Sequence, residues 1–227
     1  HKEYRRQRQM CIRDRTETVA VICAMTSDDH IRALNEKPEL LKSCGRPLID
    51  TLVEIRDEND KPLPIGEIGQ ICAKGPQIMK GYWNKTEETA KALSGGWMHT
   101  GDAGKMDEEG FVYIQDRIKD MIVSGGENIY STEVEAVLFS HPDVVDAAVI
   151  GVPDDKYGEV VKACVVKKKD SELGADDLIE FCKQKIASYK KPQSVDFIEE
   201  VPRNASGKVL KKVLREPYWK NRDRQVS

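Results

Sequence analysis

The feature of the sequence that most constrains the fold is the stretch from Asp116 to Asn128, Asp-Arg-Ile-Lys-Asp-Met-Ile-Val-Ser-Gly-Gly-Glu-Asn. The segment before it, Phe111-Val112-Tyr113-Ile114, is aromatic and β-branched and therefore favours a strand. The polar start of the stretch suits a joint between two folded bodies, and the Gly125-Gly126 pair allows a turn with positive φ. We therefore expect the chain to divide close to Arg117–Lys119, with few contacts across the division.

Before this stretch, the pattern indicates short strands separated by turns. Residues 52–55 alternate between apolar and polar side chains, and residues 66–73 form another short run between glycines. A helix is predicted near Thr86–Ala92, because Thr86 can start it and two glutamates follow in its first turn. This spacing of short elements predicts a small, barrel-like β subdomain.

After the stretch, strands and helices alternate. Strands are predicted at residues 144–152, 160–166 and 195–198, and a final helix at residues 209–219. The pattern Thr132-x-x-Glu135 predicts a capping box at the start of another helix. The predicted fold class is therefore α+β, a small β-rich, barrel-like subdomain followed by a compact α+β domain of common size.

Composition excludes several classes of function. The net charge of −3 gives no overall basic field that would recruit nucleic acid or anionic lipid. No apolar run approaches the length that spans a membrane. The six cysteines form no Cys-x-x-Cys pair and no zinc-like cluster with a histidine, and the four histidines are scattered. We expect a reduced, cytoplasmic chain without a Ser-His-Asp or Cys-His catalytic set.

Residues 1–15 are basic and polar. A nucleic-acid-binding arm or a disordered tail would have this composition. The part that reads Gln-Arg-Gln-Met-Cys-Ile-Arg-Asp-Arg is instead similar to a translated sequencing adapter. We interpret residues 1–15 as a non-native or disordered segment and expect it to pack against nothing.

Two further stretches narrow the function. Gly-Gly-Trp-Met-His-Thr-Gly-Asp ends at Asp102, and Pro-Arg-Asn-Ala-Ser-Gly-Lys ends at Lys208. Together with residues 116–128, and in this order, they resemble the adenylate-forming enzymes, the superfamily of acyl-CoA synthetases, firefly luciferases and peptide-synthetase adenylation domains. The resemblance runs from about Thr16 to the C-terminus.

The resemblance implies that parts of two domains follow one another along the chain. Residues 16–117 would be the C-terminal part of the large AMP-binding domain, and residues 118–227 the mobile C-terminal domain. The family's phosphate loop and adenine pocket have no counterpart in this sequence. The chain therefore resembles the C-terminal portion of a larger enzyme.

The resemblance also implies a nucleotide site. Asp102 would hold the ribose hydroxyls of the adenylate, Arg117 would contact the ribose close to phosphate, and Ile114 would pack beside the nucleotide. From the residues alone, Asp102 could equally cap a turn, Arg117 could form a surface ion pair, and Ile114 could be plain core.

A Thr-Glu pair is the remnant of a second nucleotide motif. In the family a Tyr-Gly-x-Thr-Glu motif ends a core strand, and here only Thr16 and Glu17 remain. The resemblance implies that the Thr16 hydroxyl donates to a phosphate oxygen and that the Glu17 carboxylate binds Mg²⁺, which prefers oxygen ligands. A solvated turn is the alternative.

By the same resemblance, Lys208 is the catalytic residue. Formation of an acyl-adenylate brings a carboxylate up to the α-phosphate, and a lysine that bridges both offsets their repulsion. Lys119 falls at the family's hinge position, and Gly125 and Gly126 would admit the pantetheine arm of CoA in a second pose. The alternatives are that Lys208 belongs to a basic surface loop and that Gly125 and Gly126 form an ordinary hairpin turn.

The expected reaction of the whole enzyme is fatty acid, ATP and CoA to acyl-CoA, AMP and pyrophosphate. The partners that the resemblance implies are ATP/AMP, Mg²⁺, CoA and a carboxylic acid. The acid is expected to be a fatty acid, since the closing segment 214–219 resembles bacterial fatty-acid ligases. Peripheral contact with a membrane surface stays open. A peptide-synthetase adenylation domain, a luciferase-type oxygenase and a fragment that is inactive alone are the rival interpretations.

Overall fold

The protein divides into two compact units. The computed structural model describes residues 12–14, 16–18 and 21–220. Unit 1 ends at Gln115 and unit 2 begins at Asp116. The division therefore falls between residues 115 and 116, whereas the sequence predicted it between 117 and 118.

Unit 1 contains two antiparallel sheets. The strands of the smaller sheet pair in the order β1-β2-β3, and those of the larger sheet in the order β4-β5-β6-β7. Two α-helices, α1 and α2, lie outside the sheets. The bounds are β1 Ile12–Asp14, β2 Val21–Ala24, α1 Ser27–Asn35, β3 Arg46–Pro47, β4 Leu52–Arg56, β5 Gly69–Lys74, α2 Thr86–Ala92, β6 Met98–Met106 and β7 Val112–Arg117.

The expectation of a barrel-like subdomain is wrong. In the part of the chain that the structure describes, the larger sheet is open and β4 and β7 are its edges. Closure into a barrel requires the two edge strands to pair with each other, and β4 and β7 are not neighbours in this sheet. The predicted α+β class is confirmed.

The core of unit 1 follows from strand alternation. Along β4 the side chains of Val53 and Ile55 point inward, and their neighbours on either side are more exposed. They pack with Ile71 of β5 and Val112 of β7 in one buried cluster. The predicted helix at Thr86–Ala92 forms with the expected bounds.

The expectation that residues 1–15 pack against nothing is wrong for Ile12–Asp14. These residues form β1, which pairs antiparallel with β2 and sets Ile12 opposite Ala24. Pairing of this kind uses backbone N–H and C=O groups, so any extended segment can supply it whatever its side chains. Residues 1–11 and Arg15 lie outside the described residues, and the origin of the whole segment stays a prediction.

Unit 2 is a five-stranded sheet with helices on both faces. The strands pair in the order β10-β11-β8-β9, and β12 adds to β11 in parallel. The bounds are β8 Ile122–Ser124, β9 Glu127–Ile129, α3 Ser131–Phe139, β10 Val144–Asp154, β11 Gly158–Lys167, α4 Ala175–Lys183, β12 Ser194–Phe197 and α5 Lys211–Trp219.

The alternation of side chains along β10 explains why unit 2 has helices on both faces of its sheet. Val149 points to one face, where Leu138 of α3 and Leu178 of α4 are fully buried with it. Ile150 points to the other face and packs with Tyr218 of α5. Successive residues of a strand face opposite sides, so a strand covered by helices on both sides is apolar throughout.

The predicted capping box at Thr132 and Glu135 is wrong. Helix α3 begins at Ser131, with Tyr130 at the cap position, so Thr132 lies inside the helix. The Thr132 N–H is instead satisfied from outside the helix by Asp116, whose carboxylate accepts it at 3.3 Å. Glu135 accepts the N–H of Val149 at 2.9 Å and so joins α3 to β10.

Within the described residues, no helix has both the length and the apolar character needed to cross a membrane. The cysteines at 23, 44, 72, 164 and 182 are all buried thiols.

Candidate functional site

Asp102 sits in a bulge of strand β6. The register pairs His99 with Cys72 and Ala103 with Gln70, so β6 takes four residue steps where β5 takes two. Gly101 has a φ of 68°, which glycine adopts without strain. Bulges of this kind re-aim a side chain and recur next to active sites. The sequence predicted a turn here, and the structure keeps the segment inside the strand.

The hydroxyl of Thr100 fixes this bulge. It donates to the carbonyl of Ile71 at 2.7 Å and accepts the N–H of Asp102 at 3.1 Å. Asp102 is only 3% exposed. A buried carboxylate on a backbone held in this way can present its oxygens to a diol with little reorganisation.

Ile114 lies on β7, the strand next to β6 in the sheet. It is half-buried and packs against the cluster that contains Val112 and Ile71. Its observed contacts are those of a core residue, and its role beside a nucleotide stays a prediction.

The Thr-Glu remnant forms a single 3₁₀ turn, Thr16–Thr18. Thr16 is exposed and Glu17 is half-buried. The Tyr82 hydroxyl donates to the Glu17 carboxylate at 3.0 Å, and the Glu17 carbonyl accepts the N–H of Met79 at 2.8 Å. Tyr82 therefore orients Glu17, a contact over 65 positions of sequence that pattern analysis missed.

Glu17 fits Mg²⁺ as one ligand of several. Mg²⁺ takes six oxygens and usually keeps several waters, with one or two protein carboxylates and substrate phosphates completing the shell. A single carboxylate oriented by a hydroxyl donor matches that pattern.

In unit 2, Asp116 organises the segment that carries Arg117. The Asp116 carboxylate accepts the Arg117 N–H at 2.7 Å and the Ser131 hydroxyl at 2.5 Å, in addition to the Thr132 N–H. Asp116 is buried, and the Arg117 side chain is exposed at the end of β7. Asp116 thereby fixes the backbone from which Arg117 projects.

The predicted hinge residue, Lys119, lies in the 3₁₀ turn Ile118–Asp120. Its side chain is exposed. Arg215 of α5 donates to the Lys119 carbonyl at 3.1 Å and pairs with Asp120 at 3.0 Å. Lys119 is therefore structurally part of unit 2, and its hinge role stays a prediction.

Gly125 and Gly126 form the two-residue turn between β8 and β9, with φ of 60° and 87°. Two positive φ values define the turn type that matches the twist of a hairpin. The Gly125 N–H donates to the Tyr157 carbonyl at 2.8 Å, and a Cβ on Gly125 would lie 3.2 Å from the Tyr157 ring. A Cβ on Gly126 would meet no atom of the described residues within 4 Å, so that side of the turn is open to them.

The loop that carries Lys208 is closed around Asn204. The Asn204 side-chain oxygen accepts the N–H groups of Ser206 and Lys208 at 3.1 and 2.9 Å and the Ser206 hydroxyl at 2.8 Å. Gly207 has a φ of 79°. Lys208 is exposed, and its ammonium forms no ion pair with any residue that the structure describes. The sequence predicted the loop, and the structure shows how Asn204 fixes it.

The expectation that no cysteine clusters with histidine is wrong for Cys72. Because Cys72 and His99 are register partners, the Cys72 sulfur lies 3.5 Å from His99 Nδ1, and Asp60 lies 3.6 Å from Nε2. Burial raises the pKa of the Cys72 thiol to about 12, so it stays protonated at neutral pH. Arg56 already pairs with Asp60 at 3.1 Å. At neutral pH the protonated Cys72 thiol is therefore a poor nucleophile.

A β-rich unit with a buried aspartate in a strand bulge, followed by an α+β unit with an exposed lysine on a glycine loop, defines the C-terminal arrangement of an adenylate-forming enzyme. Two family models match the chain, "AMP-binding enzyme" over residues 15–83 and "AMP-binding enzyme C-terminal domain" over residues 133–208. The chain belongs to this adenylate-forming, AMP-binding superfamily. Thr16 and Glu17 lie in the first match, and Lys208 is the last residue of the second.

Several characterised proteins are similar to this chain. The 2-succinylbenzoate–CoA ligase of Bacillus mycoides (strain KBAB4) is 44% identical over 200 residues, which are 88% of this chain and 40% of that protein. The solved o-succinylbenzoate CoA synthetase (MenE) of Bacillus subtilis, in complex with its acyl-adenylate intermediate, is 38% identical with a TM-score of 0.77 over 88% of this chain and 39% of that one.

The amide bond synthetase McbA of Marinactinospora thermotolerans is 41% identical, with a TM-score of 0.76 over 88% of this chain and 40% of that one. The chain spans about 40% of the length of the curated relatives named here.

Proposed function

We propose that this chain is the C-terminal part of an ATP-dependent acid–CoA ligase, which forms an acyl-adenylate and then transfers the acyl group to the thiol of CoA. The observation that carries the proposal is Lys208, an exposed ammonium without an ion pair among the described residues, on a loop that Asn204 holds in one conformation.

In the first half-reaction, Lys208 would approach the α-phosphate and the acid carboxylate together. Both groups are anionic, and negative charge shifts onto the phosphoryl oxygens as the bond to the carboxylate forms. A fixed positive charge at that point stabilises the transition state without transferring a proton. Asp102 would accept hydrogen bonds from the ribose hydroxyls, and the planar guanidinium of Arg117 would hold the ribose close to phosphate.

Mg²⁺, when bound by Glu17 and the phosphates, would neutralise charge on the departing pyrophosphate. The role of this chain's own residues is to orient that carboxylate, which Tyr82 does through its hydroxyl.

In the second half-reaction, the open side of the Gly125-Gly126 turn would admit the pantetheine arm of CoA. Support comes from the Cβ position of Gly126, within 4 Å of which no atom of the part of the chain that the structure describes is found. A side chain there would narrow the passage and strain a backbone that has positive φ. Lys119 would be the residue whose φ and ψ change between the two half-reactions.

The proposal names the acid only as a carboxylic acid. The sequence analysis favoured a fatty acid, and the relatives named above give that choice no support, because two of them are named for succinylbenzoate. ATP, Mg²⁺ and CoA as substrates and cofactor are part of the same proposal.

A second candidate function is amide formation, in which an amine takes the place of the CoA thiol. The similarity to the amide bond synthetase McbA favours it. The first half-reaction and its residues would be the same, and only the acceptor would differ. No observation favours a carrier-protein acceptor.

The test is a hybrid enzyme. Residues 16–220 would be joined to the preceding part of the Bacillus mycoides ligase, whose matching region is 44% identical. ATP–pyrophosphate exchange with a panel of carboxylic acids would report adenylation, and transfer from the adenylate to CoA or to an amine would identify the acceptor. The 227-residue chain alone, assayed in parallel, would decide whether it is active without the preceding part. Failure of a folded hybrid to exchange with any acid would refute the proposal.

A further inference from the structure

A buried polar network in unit 2 links the start of the unit to its last helix. Lys211, the first residue of α5, pairs with Glu135 of α3 at 2.7 Å and donates to the Ser131 hydroxyl at 2.5 Å. Ser131 in turn donates to Asp116, the first residue of unit 2. The side chains of Lys211 and Glu135 are 11% and 17% exposed, and Ser131 is fully buried.

We propose that Lys211 is a positioning residue for Lys208, and that this network fixes the Lys208 loop relative to Asp116 and Arg117. The effect of Lys211 on catalysis rests on the proposed function. Its effect on the position of the Lys208 loop rests on the contacts alone.

The connection between the two lysines is short. Three residue steps separate Lys208 from Lys211, and an extended chain covers at most about 3.6 Å for each step. The Leu210 N–H donates to the Pro202 carbonyl at 2.8 Å, and the Asn204 N–H to the Lys208 carbonyl at 2.9 Å. Because these bonds make the loop a closed hairpin, a displacement at Lys211 is passed to Lys208.

The Lys208 loop is fixed at two points. At one end Arg203 donates through a single nitrogen, Nη2, to both carboxylate oxygens of Asp146 of β10, at 2.8 and 2.9 Å, and through Nη1 to the Gly207 carbonyl at 3.0 Å. At the other end Lys211 enters the network. Two separate anchors determine the orientation of the loop, which one anchor would leave free to pivot.

The contact between Lys211 and Glu135 is a largely buried ion pair. Relative to an apolar pair of similar volume, it contributes little net stability, because both charges lose their hydration. Its hydrogen bonds are satisfied in one arrangement only, so it selects a geometry. Lys211 interacts with two acidic groups, Glu135 directly and Asp116 through Ser131. Lys211 thus holds α5 in a defined position relative to α3.

The structural part can be tested on this chain as it stands, by amide hydrogen exchange. In Lys211→Met the amides of residues 203–210 should exchange about tenfold faster or more, an increase larger than that of the β10 and β11 amides. The matched control is Lys212→Met, since Lys212 is exposed, and it should leave the loop unchanged. The conservative variant Lys211→Arg should restore most of the protection.

A second variant separates an effect on the position of the Lys208 loop from an effect on the stability of unit 2. Lys211→Met leaves Glu135 buried and unpaired, which can destabilise the whole unit. In Lys211→Met/Glu135→Gln no unpaired charge remains, so β10 and β11 should regain full protection while the loop still exchanges fast. Equal acceleration throughout unit 2 in both variants, or a loop unchanged in both, would overturn the inference.

The catalytic part uses the hybrid enzyme. There the double variant should slow ATP–pyrophosphate exchange by about a hundredfold, as small misplacements of catalytic groups do, and leave transfer from pre-formed acyl-adenylate to CoA near the parent rate. An equal fall in both half-reactions would overturn the positioning role. If the parent hybrid lacks both half-reactions, the proposed function fails, and the exchange data on this chain still decide whether Lys211 positions the loop.

Discussion

Replacement of Asp116 by alanine should destabilise unit 2 by roughly 3 kcal/mol, since each hydrogen bond lost from a buried group costs about 1 kcal/mol. The buried carboxylate accepts three such bonds, from the Arg117 N–H, the Ser131 hydroxyl and the Thr132 N–H. Two of these donors belong to the first turn of α3, where backbone N–H groups have no partner inside the helix.

The measurement is hydrogen exchange of the β10 and β11 amides, which report opening of unit 2. Because about 1.4 kcal/mol corresponds to a factor of ten, Asp116→Ala should speed their exchange by about a hundredfold. The matched control is Asp170→Ala, at an exposed turn, which should leave the rates unchanged. A change below about fivefold for Asp116→Ala would show that water replaces the carboxylate at these donors, and the reasoning would be refuted.

Three further predictions follow from single side chains. Lys208→Ala in the hybrid should slow ATP–pyrophosphate exchange by about 10²–10³ and leave transfer to CoA intact, since its charge acts in one transition state only; equal effects would contradict this. Arg32 and Lys37 hold the pKa of Glu109 at about 2, below its ordinary 4.5. Its contribution to stability is therefore present above pH 4.5 and lost as pH falls towards 2, so the melting-temperature difference between the parent and Glu109→Gln should disappear over that range. Cys72 should react with a maleimide only after unfolding; labelling of the native chain at neutral pH that peptide mapping locates at Cys72 would contradict its burial.

The elements that sequence analysis predicted well are those that local pattern determines. The strands at residues 144–152 and 160–166 form with slightly longer bounds, Val144–Asp154 and Gly158–Lys167. Runs of β-branched residues bounded by turns specify such strands without reference to the rest of the chain.

The features that could not be predicted depend on distant pairing. The start of α3 is determined by Asp116, which lies 15 positions before Ser131, and no local cap signals it. The bulge at Asp102 and the approach of Cys72 to His99 follow from the register between β5 and β6, which two separate segments determine.

The residues of the candidate site also fall into those that a local motif predicts and those that depend on distant contacts. Lys208, Asp102 and the Gly125-Gly126 turn could be selected from motifs, because each lies on a short segment with its own turn chemistry. The partners that orient them could not be selected in advance. Tyr82, which orients Glu17, and Lys211, which meets Ser131 over 80 positions of sequence, are brought in by tertiary contacts.

That separation of 80 positions has a kinetic consequence. Contacts between distant residues form late in folding, because the entropy of closing a long loop must be lost before they stabilise anything. The β10–β11 hairpin and α3 are local and can form first, which leaves the Lys211 contacts for the native side of the barrier. Interactions that are absent from the transition state slow unfolding and leave the folding rate unchanged. Loss of the Lys211 contacts should therefore leave the speed of folding of unit 2 almost unaltered, even where the Lys208 loop of the folded unit is no longer held in place.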